Sequence, residues 1–133
     1  AFDSIFCSVL DEFTDSELII PVPLHRKRLK ERGFNQSLML ARLVARRLNI
    51  DIDYSALKRV RLTRPQTELK GQERKRNVHG AFEVMGNKKF KGKKLLLIDD
   101  VYTTGATISE CAKVLSGTGA GVSVLTLARS ARV

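Results

Sequence analysis

The sequence predicts an α/β domain in which a mainly parallel sheet carries helices on both faces. Short apolar runs, rich in branched residues, occur at residues 18–22, 95–98 and 122–128. Segments with the three- and four-residue apolar spacing of amphipathic helices lie between them. Alternation of this kind is typical of strand–helix–strand crossover units, in which the strands are parallel.

Size and charge limit the organisation of the chain and its partners. With 133 residues, of which 43% are hydrophobic, residues 1–133 suffice for one core and hence a single domain. Lys and Arg outnumber Asp and Glu by 24 to 14, which gives a net charge of +10. We therefore expect anionic partners: phosphorylated small molecules, nucleic acid or an acidic protein.

The cysteines and the apolar runs exclude several classes of protein. Cys7 and Cys111 belong to no CxxC pair or Cys/His ladder, so we expect reduced core thiols and no metal site or disulfide. No apolar run approaches the roughly 20 residues that span a bilayer, and no secretory signal precedes the first strand. We expect a soluble, cytoplasmic protein without a membrane partner. Because the chain begins at Ala1 and not at Met, a preceding segment in the natural chain stays open.

The first half of the chain predicts a helix, a strand, a basic loop and a second helix. The opening stripe consists of Phe2, Ile5, Phe6, Val9, Leu10 and Phe13. The strand 18–22 ends at Pro21 and Pro23, and a loop dense in Arg and Lys follows from His25 to Arg32. The next helix begins near Asn35, its predicted cap, and turns Leu40, Ala41, Val44 and Leu48 inward.

The second half begins with a polar stretch. After a short apolar run around Leu57 and Val60, residues 61–77 have little apolar periodicity, which predicts a mobile loop. A strand at 81–84 and a basic turn at 86–94 lead to the strand 95–98. The last helix has a buried stripe of Ile108, Cys111, Val114 and Leu115 and stops at the glycine-rich segment 116–121.

The segment LLLIDDVYTTGAT, residues 95–107, carries the predicted chemistry. Ligands of parallel sheets bind beyond the carboxyl ends of the strands, where Asp99 and Asp100 follow the strand. Carboxylates at that position can accept hydrogen bonds from a pair of sugar hydroxyls. Hydroxyl side chains and the small residues Gly105 and Ala106 then open a helix, whose N-terminus favours an anion. A diol site beside a phosphate site matches the two ends of a ribose 5-phosphate.

Two alternatives explain an apolar strand followed by Asp-Asp. The pattern also occurs in the Walker B strand of P-loop NTPases and in the acidic corner of receiver domains, but this chain has no GxxxxGK[ST] sequence. The two aspartates can also be a solvated strand end without a ligand.

Residues 95–107 resemble the phosphoribosyl pyrophosphate (PRPP) motif of type I phosphoribosyltransferases. Together with VPLHRKRLKERGFNQS (22–37) and RVRLTRPQTELKGQERKRNVHGAF (59–82), this motif makes nearly the whole chain similar to the ComF/GntX competence-associated family. The resemblance implies a type I phosphoribosyltransferase fold. The family's four-cysteine zinc module is missing from this sequence, so no metal ligand is transferred.

The resemblance implies a set of site residues. The ribose and 5-phosphate would be bound by Asp99, Asp100, Tyr102, Thr103, Thr104, Gly105, Ala106 and Thr107. Arg26, Arg28 and Arg32 would face the pyrophosphate, and Arg64, Gln66, Arg74 and Asn77 would lie in the mobile loop that covers the site. Asp99, Asp100 and Arg74 are the candidate catalytic residues. His25 and His79 have no visible partner and receive no role.

The implied reaction is the displacement of pyrophosphate from the ribose of PRPP by an unknown acceptor, which is pentosyl transfer by a glycosyltransferase. Mg²⁺, bound mainly through the ligand, would stabilise the leaving group.

The competence family implies a second function, a non-catalytic module that contacts single-stranded DNA, a competence helicase or another protein. Few aromatic residues lie among the basic ones, which argues against a stacking platform for single strands. A third hypothesis combines the two, with PRPP as a ligand that reports metabolic state.

Overall fold

The computed structural model describes residues 10–23, 36–61, 63–64, 69–102 and 105–129. Strand β1 is Leu18–Pro21, helix α1 is Gln36–Leu48 and strand β2 is Asp51–Ile52. Strand β3 (Leu57–Arg59), helix α2 (Gln72–Val78) and strand β4 (Phe82–Val84) follow. Strand β5 (Lys94–Tyr102), helix α3 (Ala106–Ser116) and strand β6 (Gly121–Arg129) complete the described elements. Two short 3₁₀ segments lie at Asp11–Phe13 and Asn87–Phe90.

The main sheet is parallel, with the strand order β2-β1-β5-β6. In register, Ile19 of β1 lies beside Leu96 of β5, and Ile98 of β5 lies beside Leu125 of β6. β1–α1–β2 and β5–α3–β6 are the crossover units that the alternation in the sequence predicted. β3 and β4 form a separate antiparallel pair, which we call the hairpin.

Successive residues of β5 point to opposite faces, and each face has its own core. On one face, Leu96 and Ile98 pack with Leu40 and Val44 of α1 and with Leu10. On the other, Leu95 and Leu97 pack with α3, the hairpin and Phe90. The buried residues of α3 are Ile108, Cys111 and Leu115. Helices therefore cover both faces of the sheet, as the sequence predicted.

Several predicted elements need correction. The stretch 61–77, predicted to be a loop, contains α2 at its end, because the structure continues from Gly71 into a helix through Val78. β5 does not stop at Ile98 but runs through Asp99 and Asp100 to Tyr102 and keeps its pairing with β6. β2 was not predicted at all. Of the opening helix only the end is described, and it is a 3₁₀ turn; residues 1–9 and the predicted cap Asn35 lie outside the described residues.

Candidate functional site

The candidate site lies where β1, β5 and β6 end, at the rim that we call the carboxyl edge. Asp99 belongs to β5 at this rim and pairs in register with Thr126 of β6. Its side chain is half-buried. Asp100 and Tyr102 continue β5, and their side chains lie outside the described part of the structure. The first carboxylate of the predicted diol site is therefore at the edge where ligands of parallel sheets bind.

The first turn of α1 contacts Asp99 directly. The hydroxyl of Ser37 donates a hydrogen bond of 3.0 Å to Oδ1 of Asp99. Ser37 is only 1% exposed, so this bond is shielded from water. α1 starts at the carboxyl edge and runs back along the sheet towards β2. Its buried residues Leu40, Ala41 and Val44 pack against Leu96 and Ile98 of β5 and hold the helix in this position. The sequence predictions did not include Ser37 among the site residues.

Both ends of the predicted pyrophosphate loop are anchored beside Asp99. On the side of β1, the backbone N–H of Val22 donates to the carbonyl of Ile98 at 2.9 Å. On the side of α1, Ser37 holds Asp99 itself. Arg26, Arg28 and Arg32 lie outside the described residues. The chain before and after them thus contacts two consecutive residues of β5.

The N-terminus of α3 supplies the predicted phosphate end. Gly105 caps the helix with a φ of 82°, a left-handed conformation that costs little only for glycine. It is buried, and its carbonyl accepts the first helical hydrogen bond from the N–H of Ser109 at 2.8 Å. Ala106 and Thr107 are half-buried in the first turn, whereas Thr103 and Thr104 lie outside the described residues. The partial positive charge of the helix N-terminus favours an anion at this position.

Arg59 links the hairpin to the carboxyl edge. Its Nε donates to the carbonyl of Pro23 at 3.1 Å, and its Nη1 donates to the hydroxyl of Thr63 at 2.9 Å. The guanidinium lies over the ring of Phe82, 4.8 Å from the ring centre. Sequence reasoning missed this residue. The alternation of β3 was the available signal, because it places Arg59 on the same face as the buried Leu57.

Two residues predicted for the mobile loop, Arg74 and Asn77, lie in α2 and form hydrogen bonds to the backbone of the chain before this helix. Nε of Arg74 donates to the carbonyl of Leu69 at 2.6 Å. The amide of Asn77 makes two bonds with the backbone of Arg64, accepting from its N–H at 3.0 Å and donating to its carbonyl at 2.7 Å. Gln66 lies outside the described residues. The structure thus brings Arg64 and Asn77 together, and it shows Arg74 in contact with the backbone of Leu69.

Charged residues of the site influence the pKa of the buried thiol of Cys111 in α3. Burial raises the pKa of Cys111 far above its ordinary value, the guanidinium of Arg59 lowers it, and the carboxylates of Asp99 and Glu110 raise it. The thiol is therefore protonated and unreactive at neutral pH. Cys111 is free and buried, as the sequence predicted, and Cys7 lies outside the described residues.

The described residues form neither a metal-ligand cluster nor a membrane-spanning helix. In the ranges that the structure describes, no group of three or more His, Cys, Asp and Glu side chains converges on a metal position. None of the described helices has both the length and the apolar character needed to cross a bilayer. His79 lies 3.9 Å from Glu110 and is 74% exposed. It is thus a surface residue beside α3.

Comparison with protein families assigns most of the chain. Residues 35–131 match the phosphoribosyl transferase domain family. Among solved structures, the chain is similar to orotate phosphoribosyltransferase from Aeropyrum pernix, with 26% identity and a TM-score of 0.53, over 97% of this chain and 60% of that one. An adenine phosphoribosyltransferase shares the fold with 12% identity and a TM-score of 0.62, over 97% of this chain and 67% of that one.

Curated proteins from three bacteria are similar to the chain over most of its length. "Competence protein F" of Haemophilus influenzae is 38% identical over 77% of this chain and 45% of its own length. "DNA utilization protein YhgH" of Escherichia coli is 39% identical over 77% of this chain and 44% of its own length. "Competence protein ComFC" of Bacillus subtilis is 34% identical over 98% of this chain and 52% of its own length. The chain thus spans about half the length of these relatives, and it belongs to the phosphoribosyltransferase domain family as a ComF-type member.

Proposed function

We propose that the chain binds PRPP or a related ribose 5-phosphate ligand at the carboxyl edge. The observation that carries this proposal is the half-buried Asp99, which Ser37 holds one residue beyond the last pair of β1 with β5. A carboxylate accepts hydrogen bonds from sugar hydroxyls, and we assign this role to Asp99 and Asp100. The 5-phosphate would bind Tyr102, Thr103, Thr104, Gly105, Ala106 and Thr107, with the dipole of α3 directed at it.

The same proposal assigns the other end of the ligand. Arg26, Arg28 and Arg32 would bind the pyrophosphate, since the chain on either side of them is anchored beside Asp99. Mg²⁺ would be held mainly by oxygens of the ligand, and among the described residues Asp99 offers the hard oxygen donors that this ion prefers. The ion would neutralise charge on the pyrophosphate. In a transfer reaction, the acceptor's lone pair forms the new bond to C1 of the ribose, and pyrophosphate leaves with the electrons of the C1–O bond.

Calorimetric titration of the purified chain tests the binding step. PRPP and ribose 5-phosphate are titrated separately at moderate ionic strength, each with and without Mg²⁺. We expect saturable binding of both ligands, and we expect Mg²⁺ to strengthen the binding of PRPP more, because only PRPP carries the pyrophosphate. If neither ligand binds under any of the four conditions, the chain has the fold without the ribose-phosphate site.

A second candidate function is the handling of DNA or of a DNA-processing partner such as a competence helicase. The names of the relatives and the net charge of +10 favour it. A basic turn, Gly86 to Lys94, precedes β5 and therefore lies at the opposite edge of the sheet from Asp99. Lys91 and Lys93 are exposed, and hydrogen bonds join this turn to the glycine-rich turn before β6, such as Gly92 N–H to the Gly119 carbonyl at 3.0 Å.

Replacing Lys88, Lys89, Lys91 and Lys93 by glutamine tests this candidate. We expect weaker binding of single-stranded DNA, with the slope of log K against log salt reduced by about 0.7 for each lysine that contacts a phosphate. PRPP affinity should stay unchanged, because the substitutions lie at the other edge. Lys89 also pairs with Asp53 at 2.8 Å, so the melting temperature must be measured alongside. An unchanged salt slope would exclude this turn as the DNA contact.

A further inference from the structure

We propose that Ser37 is a positioning residue that makes the site selective for ribose over deoxyribose phosphates. This inference rests on the proposed ribose-phosphate site and adds a determinant of sugar specificity. Its basis is the 3.0 Å hydrogen bond from the Ser37 hydroxyl to Oδ1 of Asp99. Ser37 lies in α1 and Asp99 in β5, 62 residues apart in sequence, so the bond joins two elements at the carboxyl edge.

The burial of Ser37 makes the bond directional. Its side chain is 1% exposed and sits in the first turn of α1, whose neighbouring residues Leu40 and Ala41 pack against the sheet. The packing of α1 restricts the rotamers of the Ser37 side chain, so its hydroxyl helps to fix the rotation of the carboxylate that accepts from it. Asp99, in contrast, is half-buried at the rim. The buried partner therefore sets the orientation of the partner that faces the ligand.

The strength of the bond between the Asp99 carboxylate and a sugar hydroxyl depends on the orientation of the carboxylate. A carboxylate has about four lone-pair positions, so one bond from Ser37 uses only part of its capacity. The sugar hydroxyl donates to a second position whose direction is defined once the first is fixed. A carboxylate that is held less firmly must be ordered when the ligand binds, and this entropy cost weakens the bond to the sugar hydroxyl. Without Ser37, we expect the affinity contributed by the hydroxyl to fall while the contribution of the phosphate stays.

The test compares three ligands on the whole chain: ribose 5-phosphate, 2-deoxyribose 5-phosphate and 3-deoxyribose 5-phosphate. We expect the wild-type chain to prefer ribose 5-phosphate over each analogue by at least about tenfold, the scale of one hydrogen bond to a charged group. In Ser37→Ala, the preference over the analogue that lacks the Asp99-bound hydroxyl should shrink to less than about threefold, because the bond is partly lost. The affinity for that analogue should not change.

Two further variants control for folding and for the loss of a hydroxyl. Ser37→Cys keeps the size of the side chain with a weaker donor, so we expect an intermediate preference, and it carries the test if Ser37→Ala does not fold. Ser55→Ala removes a hydroxyl that donates to a different carboxylate, that of Asp53, at 3.1 Å, and it should leave all three affinities unchanged.

The outcomes separate this inference from the proposed function. Equal weakening of all three ligands in Ser37→Ala, or an unchanged preference, would show that Ser37 only supports the fold. A wild-type chain that binds all three ligands equally would overturn the selectivity and leave the phosphate site in place. A chain that binds none of them would overturn the proposed function, and the role of Ser37 with it.

Discussion

We expect the replacement of Asp99 and Asp100 together by asparagine to remove most of the binding of PRPP. Each carboxylate in the proposed site accepts a hydrogen bond from a ribose hydroxyl, and a bond to a charged group contributes about 1.5–3 kcal/mol. Asparagine keeps a neutral oxygen acceptor but loses the charge, which weakens each bond by about 1 kcal/mol or more and PRPP binding by at least about thirtyfold. Calorimetric titration of the double variant with PRPP and ribose 5-phosphate measures the effect.

The fold should survive these substitutions, which makes the result interpretable. The amide oxygen of asparagine at position 99 can still accept the bond from Ser37, and the side chain keeps its volume. A matched control, Asp11→Asn with Glu12→Gln, removes the same charge from two exposed residues near the start of the described chain and should leave PRPP binding unchanged. The double variant at 99 and 100 should bind DNA as well as the wild type or better, since it is more positive. PRPP affinity within about threefold of wild type would refute the assignment of the sugar site.

Most of the fold could be predicted from the sequence, because the apolar runs and the helical spacing of apolar residues indicated the same architecture. Apolar runs predicted β1, β5 and β6, and three- and four-residue spacing predicted α1 and α3, including the buried Val44 and Cys111. Each of these elements buries one or both of its faces, so the spacing of its apolar residues follows from which side chains pack in the core. The same pattern placed Asp99 at the carboxyl edge, where it lies one residue beyond the last pair of β1 with β5, although β5 itself continues to Tyr102.

The parts that sequence reasoning missed depend on tertiary contacts. α2 is seven residues long and buries only Val78, so it has no apolar stripe to detect. Its position is fixed by polar bonds to the loop before it, such as those of Arg74 and Asn77. β5 continues past Ile98 because β6 is equally long and pairs with it there. The roles of Ser37 and Arg59 likewise arise from partners distant in sequence, Asp99 and Pro23.

Replacing Gly105 by alanine is expected to damage the phosphate end of the site. The φ of 82° at this position is a conformation that L-residues adopt at a cost of about 1–2 kcal/mol. Relief of that strain shifts the start of α3, and with it the backbone N–H groups proposed to face the phosphate. Loss of one such bond corresponds to roughly tenfold or greater weakening of ribose 5-phosphate binding. The melting temperature should fall as well, as measured by circular dichroism.

Gly92→Ala distinguishes strain at the site from strain in general. Gly92 has a φ of 77° and no atom within 4 Å of an added Cβ, so alanine there meets a similar backbone cost without a steric clash. It lies in the turn before β5, at the opposite edge of the sheet from Gly105. We therefore expect Gly92→Ala to lower the melting temperature but to keep ribose 5-phosphate affinity. If Gly105→Ala likewise lost only stability, the N-terminus of α3 would not be the phosphate site, and the 5-phosphate would have to bind elsewhere along the carboxyl edge.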